Sequence, residues 1–184
     1  MSVSPALEVI GLHKRFTAGA GSCSGAISVL RGVDLQVERG EAAAIVGAPG
    51  SGRSTLLLCI AGLLSVDAGI VQRFGDDSRA AAARCAGYYM TAEQLWRREP
   101  SHGPMLHLID LRDFPALELA RVRRWLANES ERGGAALVVA DSVDLARHLA
   151  RRVVILRNGQ LQDAQTSRAR VAESRFVDRP FERV

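Results

Sequence analysis

Residues 47–55 read Gly47-Ala48-Pro49-Gly50-Ser51-Gly52-Arg53-Ser54-Thr55. Glycines at this spacing let successive backbone N–H groups converge on a polyphosphate, and a helix opening just behind them adds its N-terminal dipole. In such loops a lysine bridges the outer phosphates and the next hydroxyl holds Mg²⁺. Ser54 supplies that hydroxyl, but the residue before it is Arg53. The cradle is kept and the group that follows the chemistry is changed. A guanidinium can grip phosphate oxygens in a bidentate fork. It is also broader than an ammonium, so it either crowds the ligand or turns to a carboxylate such as Asp110.

The flanking elements must place this loop. Ala42–Val46 is an apolar run suited to a strand buried on both faces, and Leu56, Leu57, Ile60 and Leu64 follow at helical spacing from about Arg53. Strand, glycine loop and helix in that order lift the motif above a chance match. Upstream, residues 7–12 read as a strand, 17–25 as a polar, glycine-rich stretch, and 33–38 as a half-buried strand alternating at period two. Downstream, 87–90 and 105–110 read as strands, the latter ending in Asp110. A helix falls within 115–132, with Leu119, Val122 and Leu126 on one face, and Gly133-Gly134 stops it. A strand at 136–140, a helix at 143–150 and a strand at 153–156 closed by Asn158-Gly159 complete the pattern. The expectation is an α/β fold, a mainly parallel sheet flanked by helices with an antiparallel portion near the start.

Composition narrows the class. The chain has 184 residues, 47% of them hydrophobic and 24% charged, enough for one domain with a core. The longest apolar run, Leu56 to Leu64, is too short to cross a bilayer and contains Gly62. No basic region precedes an apolar stretch at the start, so no secretory signal is expected. Cys23, Cys59 and Cys85 lack metal-ligand spacing and read as reduced thiols in a cytosolic setting. Net charge is +4, with Lys14 the only lysine. The arginine clusters, such as Arg121, Arg123 and Arg124, are diluted by Glu118, Glu129 and Glu131 and read as solvated faces, so no nucleic-acid partner is expected. His102, His107 and His148 are isolated and read as surface or strand histidines.

Several ordered landmarks together resemble the ATP-binding cassette of ABC transporters. They are Val29-Leu30-Arg31-Gly32-Val33-Asp34-Leu35, Gly40-Glu41 through Thr55, Ile60-Ala61-Gly62-Leu63 with Gly69, and the closing Val153–Leu161 with Asn158-Gly159. The glycine-rich spacer before Val29 resembles the lipoprotein-release and macrolide-export branches. The resemblance implies a P-loop cassette over residues 1–161, followed by a polar extension over 162–184. It implies ATP and Mg²⁺ as ligands, held by Gly47–Thr55, with Phe16 stacked on adenine and Ser54 and Asp110 serving the metal. It further implies a membrane-embedded transporter subunit or another cassette as partner, and a cytoplasmic position at the inner face of a membrane.

Other family positions are altered. Leu111 stands where a glutamate polarises the attacking water, Thr91 where a glutamine senses magnesium, and Asp141 where a histidine clamps the γ-phosphate. The aspartate-containing loop is not recognisable around Pro115–Leu117. Only Ala92–Gly103 separates Thr91 from the next strand, so the helical subdomain and its Leu-Ser-Gly-Gly-Gln signature have no sequence to occupy. Losing a general base costs about 10²–10⁴ in rate, and losing a transition-state donor on the order of 3–4 kcal/mol. The reading is a cassette-derived scaffold or regulatory subunit that binds ATP without hydrolysing it and has no catalytic residue to assign. The alternatives are a transporter subunit with slow or partner-assisted hydrolysis, and a free-standing P-loop enzyme. Trp96, in the shortened link, is expected either as a lid on the core or as an exposed partner anchor.

Overall fold

The computed structural model describes residues 4–17, 25–78, 86–97 and 103–163. Two sheets form. In the first, β1 (Leu7–Thr17) lies between β2 (Ala26–Val37) and β4 (Ala68–Arg73), antiparallel to both. In the second, six strands run in the order β5 (Ala86–Tyr89), β6 (Leu106–Asp110), β7 (Ala135–Ala140), β3 (Ala42–Val46), β8 (Arg152–Arg157) and β9 (Gln160–Asp163). All its pairings are parallel except the β8–β9 hairpin, which turns at Asn158-Gly159. The expected α/β class with an antiparallel portion is what the chain adopts.

β3 and β7 are apolar on both faces because both faces are covered. Ala43 and Ile45 of β3 and Leu137 and Val139 of β7 face the main core, with β1, β2 and α1 (Arg53–Ile60). Ala44 and Val46 face the opposite way, into a cluster with Ala146 of α4 (Val143–Leu149). On that side α3 (Leu119–Glu131) packs Val122 and Leu126 against Ile109, Leu111 and Val138. α1 is pinned from behind: buried Arg73 of β4 donates through Nε to the Ile60 carbonyl at 2.6 Å and through Nη2 to the Cys59 carbonyl at 3.3 Å. This cation caps the helix's negative end and so fixes the loop at its other end.

Two elements were not expected from sequence. β4 completes the antiparallel sheet, and α2 (Ala92–Trp96) is a five-residue helix in the shortened link. Before α3, the chain makes two short 3₁₀ turns, Leu111–Asp113 and Ala116–Glu118, the second of them where the start of the helix was anticipated. Cys23, Cys85, Arg98, Glu99, His102 and residues 164–184 lie outside the described residues. No described helix is long and apolar enough to cross a membrane.

Candidate phosphate site

The C-terminal ends of β3, β6 and β7 lie side by side, where ligands bind in open parallel sheets. From β3 the chain enters the loop and then α1. At Gly47 the backbone has no room for a side chain: a Cβ would meet the Leu156 carbonyl oxygen at 2.5 Å and Ser51 Oγ at 2.6 Å. Gly52 precedes the helix at φ 102°, a left-handed conformation only glycine adopts readily. No side chain caps the N-terminus of α1 among the described residues, and its first turn carries no acid. Ser51 Oγ is buried there without a hydrogen-bond partner among them. An uncapped helix start behind a tight glycine loop is the cradle an anionic phosphate fits.

Ser54 and Asp110, the two residues assigned to metal by resemblance, converge here through a third residue, Arg112. Its Nε donates to Asp110 Oδ1 at 2.9 Å, and its Nη2 donates to Asp110 Oδ2 at 2.6 Å and to Ser54 Oγ at 2.7 Å. The 3₁₀ turn at Leu111 makes this contact possible. Asp110 caps the turn by accepting from the Arg112 backbone N–H at 3.3 Å, which folds residue 112 back over its own strand end. Sequence reasoning did not single out Arg112. An arginine in an arginine-rich chain gives no local signal, and the only clue is its position two residues beyond a strand-ending aspartate.

Arg53 does not reach Asp110. Its guanidinium is buried, 5% exposed, and Nη1 donates to the Ala140 carbonyl at 2.9 Å and to Asp141 Oδ1 at 3.1 Å. Two residues that each depart from the family pattern therefore meet one another. The guanidinium is turned onto the end of β7, and the negative charge of Asp141 is paired.

The remaining positions are occupied by structural roles. Leu111 is 5% exposed and packed among Ile109, Phe114 and Leu126, so the position of the water-polarising glutamate is a core position here. Thr91 caps α2: its Oγ1 accepts from the Gln94 N–H at 3.3 Å, and Gln94 Oε1 accepts from the Met90 and Thr91 N–H groups. A glutamine three residues after a threonine is the legible signal of this capping box. Trp96 is a lid rather than an exposed anchor. It is half-buried, meets Trp125 edge-on, donates Nε1–H to Glu118 Oε2 at 3.0 Å and lies under the Arg121 guanidinium. His107 is a buried strand histidine, paired through Nε2 with Glu129 at 3.0 Å. His148 is at the surface.

Beside the loop is a cleft of about 590 Å³, lined by Ile27, Val29, Gly47–Ser51 and Leu156–Gly159. Phe16 pairs with Ile27 across β1 and β2, so the two side chains share one face of that sheet. Phe16 is 41% exposed and Ile27 60%. Ile27 lines the cleft and Phe16 is its neighbour on the sheet, an exposed apolar pair of the kind on which a flat base can lie. On the other flank, burial raises the Tyr88 hydroxyl pKa, with the Asp110 charge adding to it.

Comparison with known proteins bears on the family and the fold. A family model described as "ABC transporter" matches residues 30–180. The lipoprotein-releasing system ATP-binding protein LolD of Ruegeria sp. is 36% identical over 177 residues, which are 93% of this chain and 72% of that one. The sulfate/thiosulfate import ATP-binding protein CysA of Bordetella pertussis is 46% identical over 72 residues, 39% of this chain but only 18% of CysA. A solved ATP-binding subunit of an ABC transporter superposes with a TM-score of 0.68 over 91% of this chain and 93% of its own, at 20% identity.

Proposed function

This chain belongs to the ABC transporter family, and on that premise we propose that it is an ATP-binding subunit that holds nucleotide without turning it over. The observation that carries the proposal is a division within the site. The loop keeps its tight glycines and uncapped helix start, while the positions that would move protons or γ-phosphate are tied into the fold. Leu111 is in the core, Thr91 caps a helix, and Arg53 and Asp141 hold each other. A leucine cannot act as a base, and a carboxylate at residue 141 cannot attract phosphate.

Nucleotide is held by the backbone of Gly47–Thr55 with its base against Phe16. The chain then serves as a scaffold or regulatory member of a transporter assembly, beside a membrane-embedded subunit or a second cassette at the cytoplasmic face. In the shortened link, residues 90–105 carry only α2 among the described residues, so such partners meet a surface without the helical subdomain.

Two measurements test this. ATP at saturating concentration should raise the melting temperature by mass action, and no shift at millimolar ATP, with or without Mg²⁺, would refute nucleotide binding. Steady-state phosphate release should stay at background. Turnover of about 1 s⁻¹ or more that is lost in Asp110→Asn would establish an ordinary ATPase instead.

A further inference from the structure

In cassettes of this family the loop hydroxyl and the strand-ending aspartate serve a divalent cation, so the fit of Mg²⁺ to Ser54 and Asp110 can be tested on their donor atoms. Mg²⁺ demands near-octahedral oxygen ligands at about 2.0–2.1 Å with lone pairs directed at the ion. Here the lone pairs are directed elsewhere. Both carboxylate oxygens of Asp110 and the hydroxyl of Ser54 accept N–H bonds from the one guanidinium of Arg112. Asp110 itself is 3% exposed. A positive charge already lies between the two residues, and a second cation there would meet both repulsion and occupied acceptors. The residues do not fit Mg²⁺.

We infer that the Arg112 guanidinium replaces the divalent cation, so that this site takes the polyphosphate of ATP in its metal-free form. The inference rests on the nucleotide-binding reading above and adds to it the chemical form of the ligand. Three features support the assignment. The guanidinium touches both residues a cation would serve. The pairing with Asp110 is a two-point fork with short N⁺–H···O⁻ contacts, a strong and geometrically fixed kind of ion pair. The Arg112 side chain is also 42% exposed while its carboxylate partner is buried. The cation is therefore anchored on Asp110 and Ser54 while part of its side chain meets solvent.

The same local event removes the base and supplies the cation. Leu111 enters the core, and the 3₁₀ turn it begins carries Arg112 back over Asp110. An arginine is always charged at accessible pH. Unlike a bound ion, it is neither titrated away nor lost by chelation, and it brings its charge without an activated water shell.

The test is calorimetric titration of the full chain with ATP, in EDTA and in millimolar Mg²⁺. Wild type should bind at least as tightly in EDTA as in Mg²⁺. Arg112→Ala, which uncovers Ser54 and Asp110, should bind roughly tenfold or more weakly in EDTA, on the scale of one lost charge-assisted contact, with Mg²⁺ restoring affinity. Arg112→Lys keeps a point charge without the fork and should fall between the two, and it serves as the readout if Arg112→Ala does not fold. Wild-type binding that requires Mg²⁺ would overturn the inference and leave the nucleotide reading standing. Variants as indifferent to Mg²⁺ as wild type would also overturn it. Absence of binding in both buffers would overturn the nucleotide reading and this inference together.

Discussion

Asp141→Ala isolates the contact between the two altered positions, and its cost follows from geometry. The Arg53 side chain is 5% exposed while that of Asp141 is 62% exposed, with Nη1 and Oδ1 3.1 Å apart. Solvent around Asp141 screens the attraction, which places the ionic part at about 0.5–1 kcal/mol. Arg53 is nearly buried, however, and without Asp141 its charge keeps the Ala140 carbonyl as its one remaining acceptor among the hydrogen bonds described above. That under-satisfied donor raises the expected destabilisation to about 1–2 kcal/mol. Arg53→Met removes both contacts but also removes a desolvated charge, so its cost should be no greater. The double variant should then cost about 1–2 kcal/mol less than the sum of the two, because once Arg53 is gone the loss of Asp141 costs nothing further. Urea unfolding monitored by circular dichroism measures each corner of the cycle, and a chain of this size should lose about 2–4 °C of Tm per kcal/mol. Additivity of the two costs within about 0.3 kcal/mol would refute the pairing.

Three further outcomes are expected. Burial pushes the Cys59 thiol pKa up to about 11, so it should resist alkylation at pH 8 in the folded chain and react once urea exposes it; rapid labelling of the native state would show the helix packing to be wrong. The Arg15 backbone N–H, bonded to Asp67 Oδ2 at 2.5 Å, and then Lys14 hold the Asp67 carboxyl below its usual 3.8. Its contribution is therefore complete above pH 3.8 and lost as pH falls through the lower folded value. Wild type should lose stability more steeply below that pH than Asp67→Asn, and parallel curves would contradict this. Trp96→Phe should cost about 1 kcal/mol by deleting the bond to Glu118 while keeping the ring against Trp125 and Arg121; an unchanged Tm would mean that the lid contributes nothing.

The buried strands were the most legible part of the fold. β3 matches its apolar run residue for residue, because a strand covered on both faces admits little else. β4 was hidden by its own geometry. Gly69 breaks the apolar pattern of Ala68–Arg73, yet it lies in the strand, and it is glycine there because a Cβ would come within 2.4 Å of the Gly11 carbonyl oxygen. The site was legible wherever spacing defines it, in Gly47–Thr55 and Asp110. It was not legible where side chains from separate elements meet. Arg53 and Asp141 were each seen as a loss, and only the fold shows that they pair across β3 and β7. Arg112 depends on a two-residue fold-back that no periodicity reports.

The position of β3 at the centre of the parallel sheet has a consequence for how the chain is made. Ala42–Val46 pairs on one side with Ala136–Ala140 and on the other with Arg152–Ile155. The antiparallel sheet closes among residues 7–73. On a ribosome that sheet can form early, while β3 waits until Ala135–Ala140 has been made for its first neighbour and until Arg152–Arg157 for its second. Such distant pairings are slow, since loop closure must precede any gain from contact. During that wait an alanine-rich apolar strand has two open edges, the condition in which nascent chains stick to one another or to chaperones. Because the phosphate loop springs from the end of that strand, nucleotide can steady the finished domain but cannot guide its first steps.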